Sequence, residues 1–93
     1  MAKFKLKSEK VSIDGNEFVV HEMPLSVSLP LFNALSASNG NMDAVAALLG
    51  AAVSYGGEML GDDAKDLGTS MLTSLQAKVL KINGMGTDLG NAH

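Results

Sequence analysis

The chain has 93 residues, 46% of them hydrophobic and 18% charged, with a net charge of −3 at pH 7. That length makes one domain with a core of modest size. Its seven cations are all lysines, and an acidic chain without arginine lacks the side chain that forks onto phosphates and guanines, which argues against a nucleic-acid partner. The absence of cysteine excludes a disulfide framework, a thiolate nucleophile and a zinc knuckle.

Few aromatic residues and no tryptophan leave Leu, Val, Ala and Met to build the core. Six methionines suit either an irregular core or a surface that adapts to partners. The first ten residues alternate Lys with apolar side chains and hold no unbroken apolar run, unlike a signal peptide. The longest apolar run, residues 44–53, is far shorter than the roughly 20 residues a membrane span needs. No membrane partner is expected.

Lys3-Phe4-Lys5-Leu6-Lys7 has the period of a half-buried strand. It predicts an edge strand with Phe4 and Leu6 inward and lysines blunting the edge. Val11-Ser12-Ile13 and Phe18-Val19-Val20 flank Asp14-Gly15-Asn16, a strong hairpin signal. The spacing leaves open whether Val19 or Val20 faces the core, because a one-residue slip exchanges the faces. His21 falls at the strand end and reads as a surface histidine, with no nucleophile or orienting acid suggested beside it. Pro24 then ends the hairpin.

Residues 25–36 read as a short helix, with Ser28 as N-cap, Pro30 in the first turn and Leu31, Phe32 and Leu35 on one face. A polar loop follows through residues 36–41. Asn41 caps a second helix, with Asp43 in its first turn. Residues 44–53 are all apolar or Gly, so this helix is apolar nearly all round. Either the hairpin and the other helices enclose it, or part of it packs on another chain.

Residues 55–61 read as a glycine-marked loop. A third, amphipathic helix begins at Asp62-Asp63 and runs to Asn83-Gly84. Asp63 is its expected N-cap, with Asp62 the neighbouring candidate, and Asp66 is an acidic capping-box partner to Asp63. Ala64, Leu67, Met71, Leu75, Val79 and Ile82 form the inward face, and Leu72 and Leu80 widen it. Lys78 and Lys81 suit the C-terminal dipole, and Asn83-Gly84 is the stop. Residues 85–93 read as a flexible tail.

No motif carries chemistry. Gly84, Gly86 and Gly90 miss the dinucleotide spacing and lack the strand–turn–helix context. Glu58, Asp62, Asp63 and Asp66 do not follow a calcium-loop spacing and are explained by dipole and cap duty. No hydroxyl has a base and orienter nearby in sequence. The residues predict a non-enzyme with no catalytic residue, cofactor or metal.

Several features together resemble the tail assembly chaperones of long-tailed bacteriophages and prophages. They are the hairpin Val11-Ser12-Ile13-Asp14-Gly15-Asn16-Glu17-Phe18-Val19-Val20, then Glu22-Met23-Pro24-Leu25 entering a helix. Next comes an Ala/Leu-rich helix ending Ala51-Ala52-Val53, and a turn Tyr55-Gly56-Gly57-Glu58-Met59-Leu60. A closing helix carries Leu67, Leu75, Val79 and Leu80 and ends Asn83-Gly84-Met85. The resemblance covers about residues 10–85. One departure is Ser54-Tyr55-Gly56-Gly57, where the family often shows an acidic Asp-x-Asp-Gly stretch.

The resemblance implies a non-catalytic protein of the host cytoplasm, absent from the finished virion. Such proteins hold the aggregation-prone tape measure protein, and contact tail tube subunits, before the tube polymerises. Family members often occur in a short form and a frameshifted longer form. The alternative is a small structural tail component, an adaptor or completion protein, retained in the virion. A DNA-binding regulator is a third reading, disfavoured by the acidic balance.

The expected fold is a single α+β domain over residues 1–93, ordered over about 3–84. It has an N-terminal antiparallel hairpin, with residues 3–7 as a candidate third strand, followed by three helices. The expected partner-binding residues are Met42, Leu48, Ala51, Leu72 and Leu80, with a homo-oligomer as a further candidate partner.

Overall fold

The computed structural model describes residues 5–39 and 41–84. Its fold is α+β, as the pattern of elements predicts. Strands β1 (Ser8–Ile13) and β2 (Asn16–His21) form the expected hairpin. Ile13 pairs with Asn16, so the turn holds two residues, Asp14 and Gly15, both at positive φ (52° and 81°). Such a turn matches the right-handed twist of the strands it joins. The register settles the open question of facing. Val11 pairs with Phe18, and Phe18 and Val20 point inward while Val19 points to the other face.

The expected N-terminal strand is not formed where the chain is described. Residues 5–7 lie outside β1, and Leu6 is 43% exposed rather than inward. Only Lys7 touches the ladder: its carbonyl accepts from Glu22 N, and its N–H donates to Glu22 Oε1 at 3.0 Å. Lys3, Phe4 and the tail at residues 85–93 lie outside the described residues.

Helix α1 (Leu25–Ala37) starts one turn earlier than its composition suggests. Pro24, with extended backbone, occupies the cap position, and its carbonyl accepts from Val27 and Ser28. Ser28 is therefore inside the helix and buried, not a cap. Pro30 falls in the second turn, where its missing N–H leaves one rung of the helix unmade. Helix α2 (Met42–Ala52) is capped as expected, with Asn41 Oδ1 accepting from Asp43 N at 2.7 Å.

At Ala52 the helix passes directly into a strand. The segment read as a loop is a second hairpin, β3 (Val53–Tyr55) and β4 (Glu58–Met59), turning on Gly56 and Gly57. The sheet therefore has four strands in the order β1-β2-β3-β4, all antiparallel, with α1 and α2 inserted between β2 and β3. The β2–β3 register pairs Phe18 with Tyr55 and Val20 with Val53.

The third helix is also divided. Gly61–Asp66 is a 3₁₀ segment, and α3 (Thr69–Ile82) begins after Leu67 and Gly68. Neither Asp62 nor Asp63 caps α3; Gly68 holds that position with no side-chain bond. The 3₁₀ segment is pressed on α2. Ala64 is fully buried, and a Cβ on Gly50 would collide with the Gly61 carbonyl. A side chain at residue 50 would thus exclude the backbone that lies there.

Paired residues share a face of a sheet. Val11, Phe18, Val20 and Val53 therefore form one inner face, on which α3 packs against β1 and β2, and α2 against β3 and β4. The opposite face carries Lys10, Ser12 and Glu17 in solvent, the usual arrangement for an antiparallel sheet covered on one side. The core is aliphatic: Val45, Leu48, Leu49 and Ala52 of α2 meet Leu75 and Val79 of α3. Asn83 ties the end of α3 to the end of β2. Its Oδ1 accepts from Met23 N at 2.8 Å while its Nδ2 donates to the Val79 carbonyl at 2.8 Å.

Candidate partner-binding surfaces

The structure separates the five residues expected to meet a partner. Leu48 is fully buried and Leu72 is 6% exposed, so both are core residues. A partner cannot reach Leu48 without opening the fold. Ala51 and Leu80 are half-buried, and Met42 alone is exposed, at 40%. The apolar helix α2 is enclosed internally: α1, α3, the 3₁₀ segment and the second hairpin surround it. Met42, Asp43 and Ala47 are its exposed residues, and Ala44 and Ala51 are half-buried.

The greasy ground lies on α1 instead. Leu25 is 71% exposed, Leu29 49% and Val27 41%. Leu25, Leu29 and Phe32 follow i, i+4, i+7 and so form one flank of the helix, with Val27 and Leu31 on the other. Only Ser28 and Leu35 of this helix are buried, and its main packing partner is α2. A signal for this surface is present in the sequence. Residues 23–42 are twenty consecutive residues without a charge, and a solvent-facing helix ordinarily carries charges on its outer side. The inward positions Leu31, Phe32 and Leu35 mark only the buried side of this helix; the absence of charge marks the other.

A second feature is a groove of about 520 Å³ at the turn end of the sheet. Its floor is apolar, made by Phe18, Leu60, Leu67 and Met71, with Tyr55 and Met59 at the side. Glu58, Asp63 and Asp66 stand on its rim. The groove lies between Phe18 and Tyr55 of the sheet and Asp63, Asp66, Leu67 and Gly68 of the segment that leads into α3. The Phe18 and Tyr55 rings pack at 5.1 Å between centroids, and the Tyr55 hydroxyl donates to Asn16 Oδ1 at 3.3 Å. Among the described residues, no lysine lines this groove.

His21 is not a free surface histidine. Its Nε2 lies 2.9 Å from Ser54 Oγ, across the β2–β3 pairing. Thirty-three residues separate the two, which is why the sequence order does not suggest the pair. Ser54 is buried, and among the described residues no carboxylate hydrogen-bonds the imidazole. The pair is a cross-strand tie on the outer face of the sheet. Among the described residues no group of three or more His, Cys, Asp or Glu side chains is placed to hold a metal ion. No helix of the described residues is long and apolar enough to cross a membrane.

Compared with known proteins, the chain matches no family model, no curated protein and no solved structure.

Proposed function

We propose that the chain is a non-catalytic tail assembly chaperone, which holds the tape measure protein in the host cytoplasm before the tail tube polymerises. The observation that carries the reading is the exposed, charge-free helix α1. An apolar helix flank left in solvent marks a protein-interaction surface. An amphipathic helix of a client lays its apolar side chains against such a flank at the same i, i+4, i+7 spacing. The sequence resemblance over residues 10–85 supplies the identity of the client.

The energetics suit temporary holding. Leu25, Val27 and Leu29 each yield at most about 1.5–3 kcal/mol when buried. Association itself costs roughly 4–15 kcal/mol. One copy therefore grips weakly, and a growing tube displaces it without a dedicated release step. The client surface is α1, with Met42 at the start of α2, in place of Leu48 and Leu72.

The test is co-expression with the tape measure protein and purification through a tag on this chain. The wild type is expected to carry the client. The Leu25→Glu/Leu29→Glu variant, with an unchanged circular dichroism spectrum, is expected to lose it. Client retained by that variant removes α1 as the surface, and a wild type that carries no client removes the function. Mass spectrometry of purified particles is expected to find the chain missing, whereas a structural tail component would be present.

A further inference from the structure

We propose that the acidic groove receives residues 5–7 of a second copy, so that the chain associates head to tail. The proposal stands apart from the chaperone reading and uses a different surface.

Charge is divided unevenly along this chain. Lys3, Lys5, Lys7 and Lys10 are four of its seven cations, and they lie in its first ten residues. Glu58, Asp62, Asp63 and Asp66 are four of its ten acids, and three of them stand on the groove. The groove presents an apolar floor between carboxylates, and Lys5-Leu6-Lys7 presents an apolar side chain between ammonium groups. Each is the complement of the other. Leu6 is 43% exposed and has no place in its own core. It would fill the floor beside Phe18, Leu67 and Met71, while the long lysine stems reach the rim.

Geometry directs this contact outward. Lys7 is fastened beside Glu22, at one end of β2, whereas the groove is at Asn16 and Phe18, the other end. Six residues of strand separate the ends, roughly 20 Å. Residues 5–7 are exposed where they stand and do not line their own groove. Donor and acceptor surfaces on opposite ends of one molecule make a heterologous contact, which closes into a ring or continues as a filament.

Sedimentation velocity of the full chain from micromolar to millimolar concentration tests it. At low salt the mean mass is expected to rise with concentration. At about 1 M salt, where charges are screened beyond roughly 3 Å, it is expected to fall back toward the monomer. Lys5→Glu/Lys7→Glu and Asp63→Lys/Asp66→Lys should each weaken self-association by about tenfold or more, since like charges then meet. Glu58→Lys is an independent check on the rim that leaves the 3₁₀ segment intact. An equimolar mixture of the two double variants is expected to associate again, because each supplies what the other lacks. A monomer throughout overturns the proposal, and so does a mixture that stays monomeric. Association abolished by Leu25→Glu/Leu29→Glu but untouched by the charge variants assigns the contact to α1 and overturns it as well.

Discussion

Gly50 decides how closely two parts of the chain approach. It lies inside α2, where glycine is ordinarily a poor choice, yet the Gly61 backbone occupies the space its side chain would fill. Gly50→Ala gains helix propensity of about 1 kcal/mol but forces backbone atoms apart, an overpacking cost of roughly 1–3 kcal/mol. The obstacle is backbone and cannot rotate away, so the variant is expected to be less stable in urea denaturation. Asn83 is a second single residue with two ends to hold. Asn83→Ala leaves the Met23 N–H and the Val79 carbonyl without their side-chain partner. An unsatisfied buried polar group costs about 1–3 kcal/mol, and the same measurement should show that loss. Asn83→Asp keeps an acceptor for Met23 N but turns a carboxylate oxygen on the Val79 carbonyl and adds a negative charge at the end of α3, so it is expected to be destabilising as well.

At the scale of elements, two hairpins of the same kind carry the sheet. Gly56 and Gly57 both take positive φ, 63° and 88°, and nothing crowds either position. The conformation alone selects the residue there. Gly56→Val is expected to destabilise by about 1–2 kcal/mol, because a β-branched side chain is strained in the left-handed region. Gly56→Asn should be close to neutral, since Asn-Gly is the preferred pair for this turn. Thermal melts of the two variants, compared with the wild type, separate conformational strain from mere loss of glycine. Helix α1 poses the opposite case. It holds its place by Leu35, Leu31 and Phe32 against the core while Leu25 and Leu29 stay outside. Surface substitutions away from packed features change stability by less than about 0.5 kcal/mol. Leu25→Glu/Leu29→Glu is therefore expected to melt like the wild type, with its effect confined to partner binding.

Over the whole molecule, α2 is the hub. It contacts α1, α3, the 3₁₀ segment and the β3–β4 hairpin, and it contributes Val45, Leu48, Leu49 and Ala52 to the core. Leu48 has no exposed surface, so Leu48→Ala deletes packing on all sides. A loss of about 2–5 kcal/mol is expected from equilibrium denaturation. That is a large share of the roughly 5–15 kcal/mol by which folded proteins are stable. Leu48→Glu would unfold the chain rather than report on a surface. The enclosure of α2 also explains where partner surfaces lie. With the most apolar helix used internally, only the periphery remains for other chains: α1 on one side and the groove at the sheet end on another.

Local signals were enough to read the elements whose cause is local. Asp-Gly between β-rich runs specified the first hairpin, Asn41 the start of α2, and Asn83-Gly84 the end of α3. Each depends on φ, ψ or a capping bond within a few residues. The second hairpin was not legible, because β3 is three residues long and Val53 continues an apolar run that reads as helix. It becomes a strand only because β2 offers an open edge for Val53 and Tyr55 to pair with. The division of the last helix likewise follows from Gly61 and Ala64 docking on α2, a contact between segments far apart in the chain. Burial was the least legible property. Composition showed that α2 was greasy enough to need cover, but whether that cover came from within or from another chain depended on how the remaining elements packed around it. The charge-free run at residues 23–42 was written in the sequence throughout; that Leu25, Val27 and Leu29 within it face solvent was decided by α2 having taken the centre.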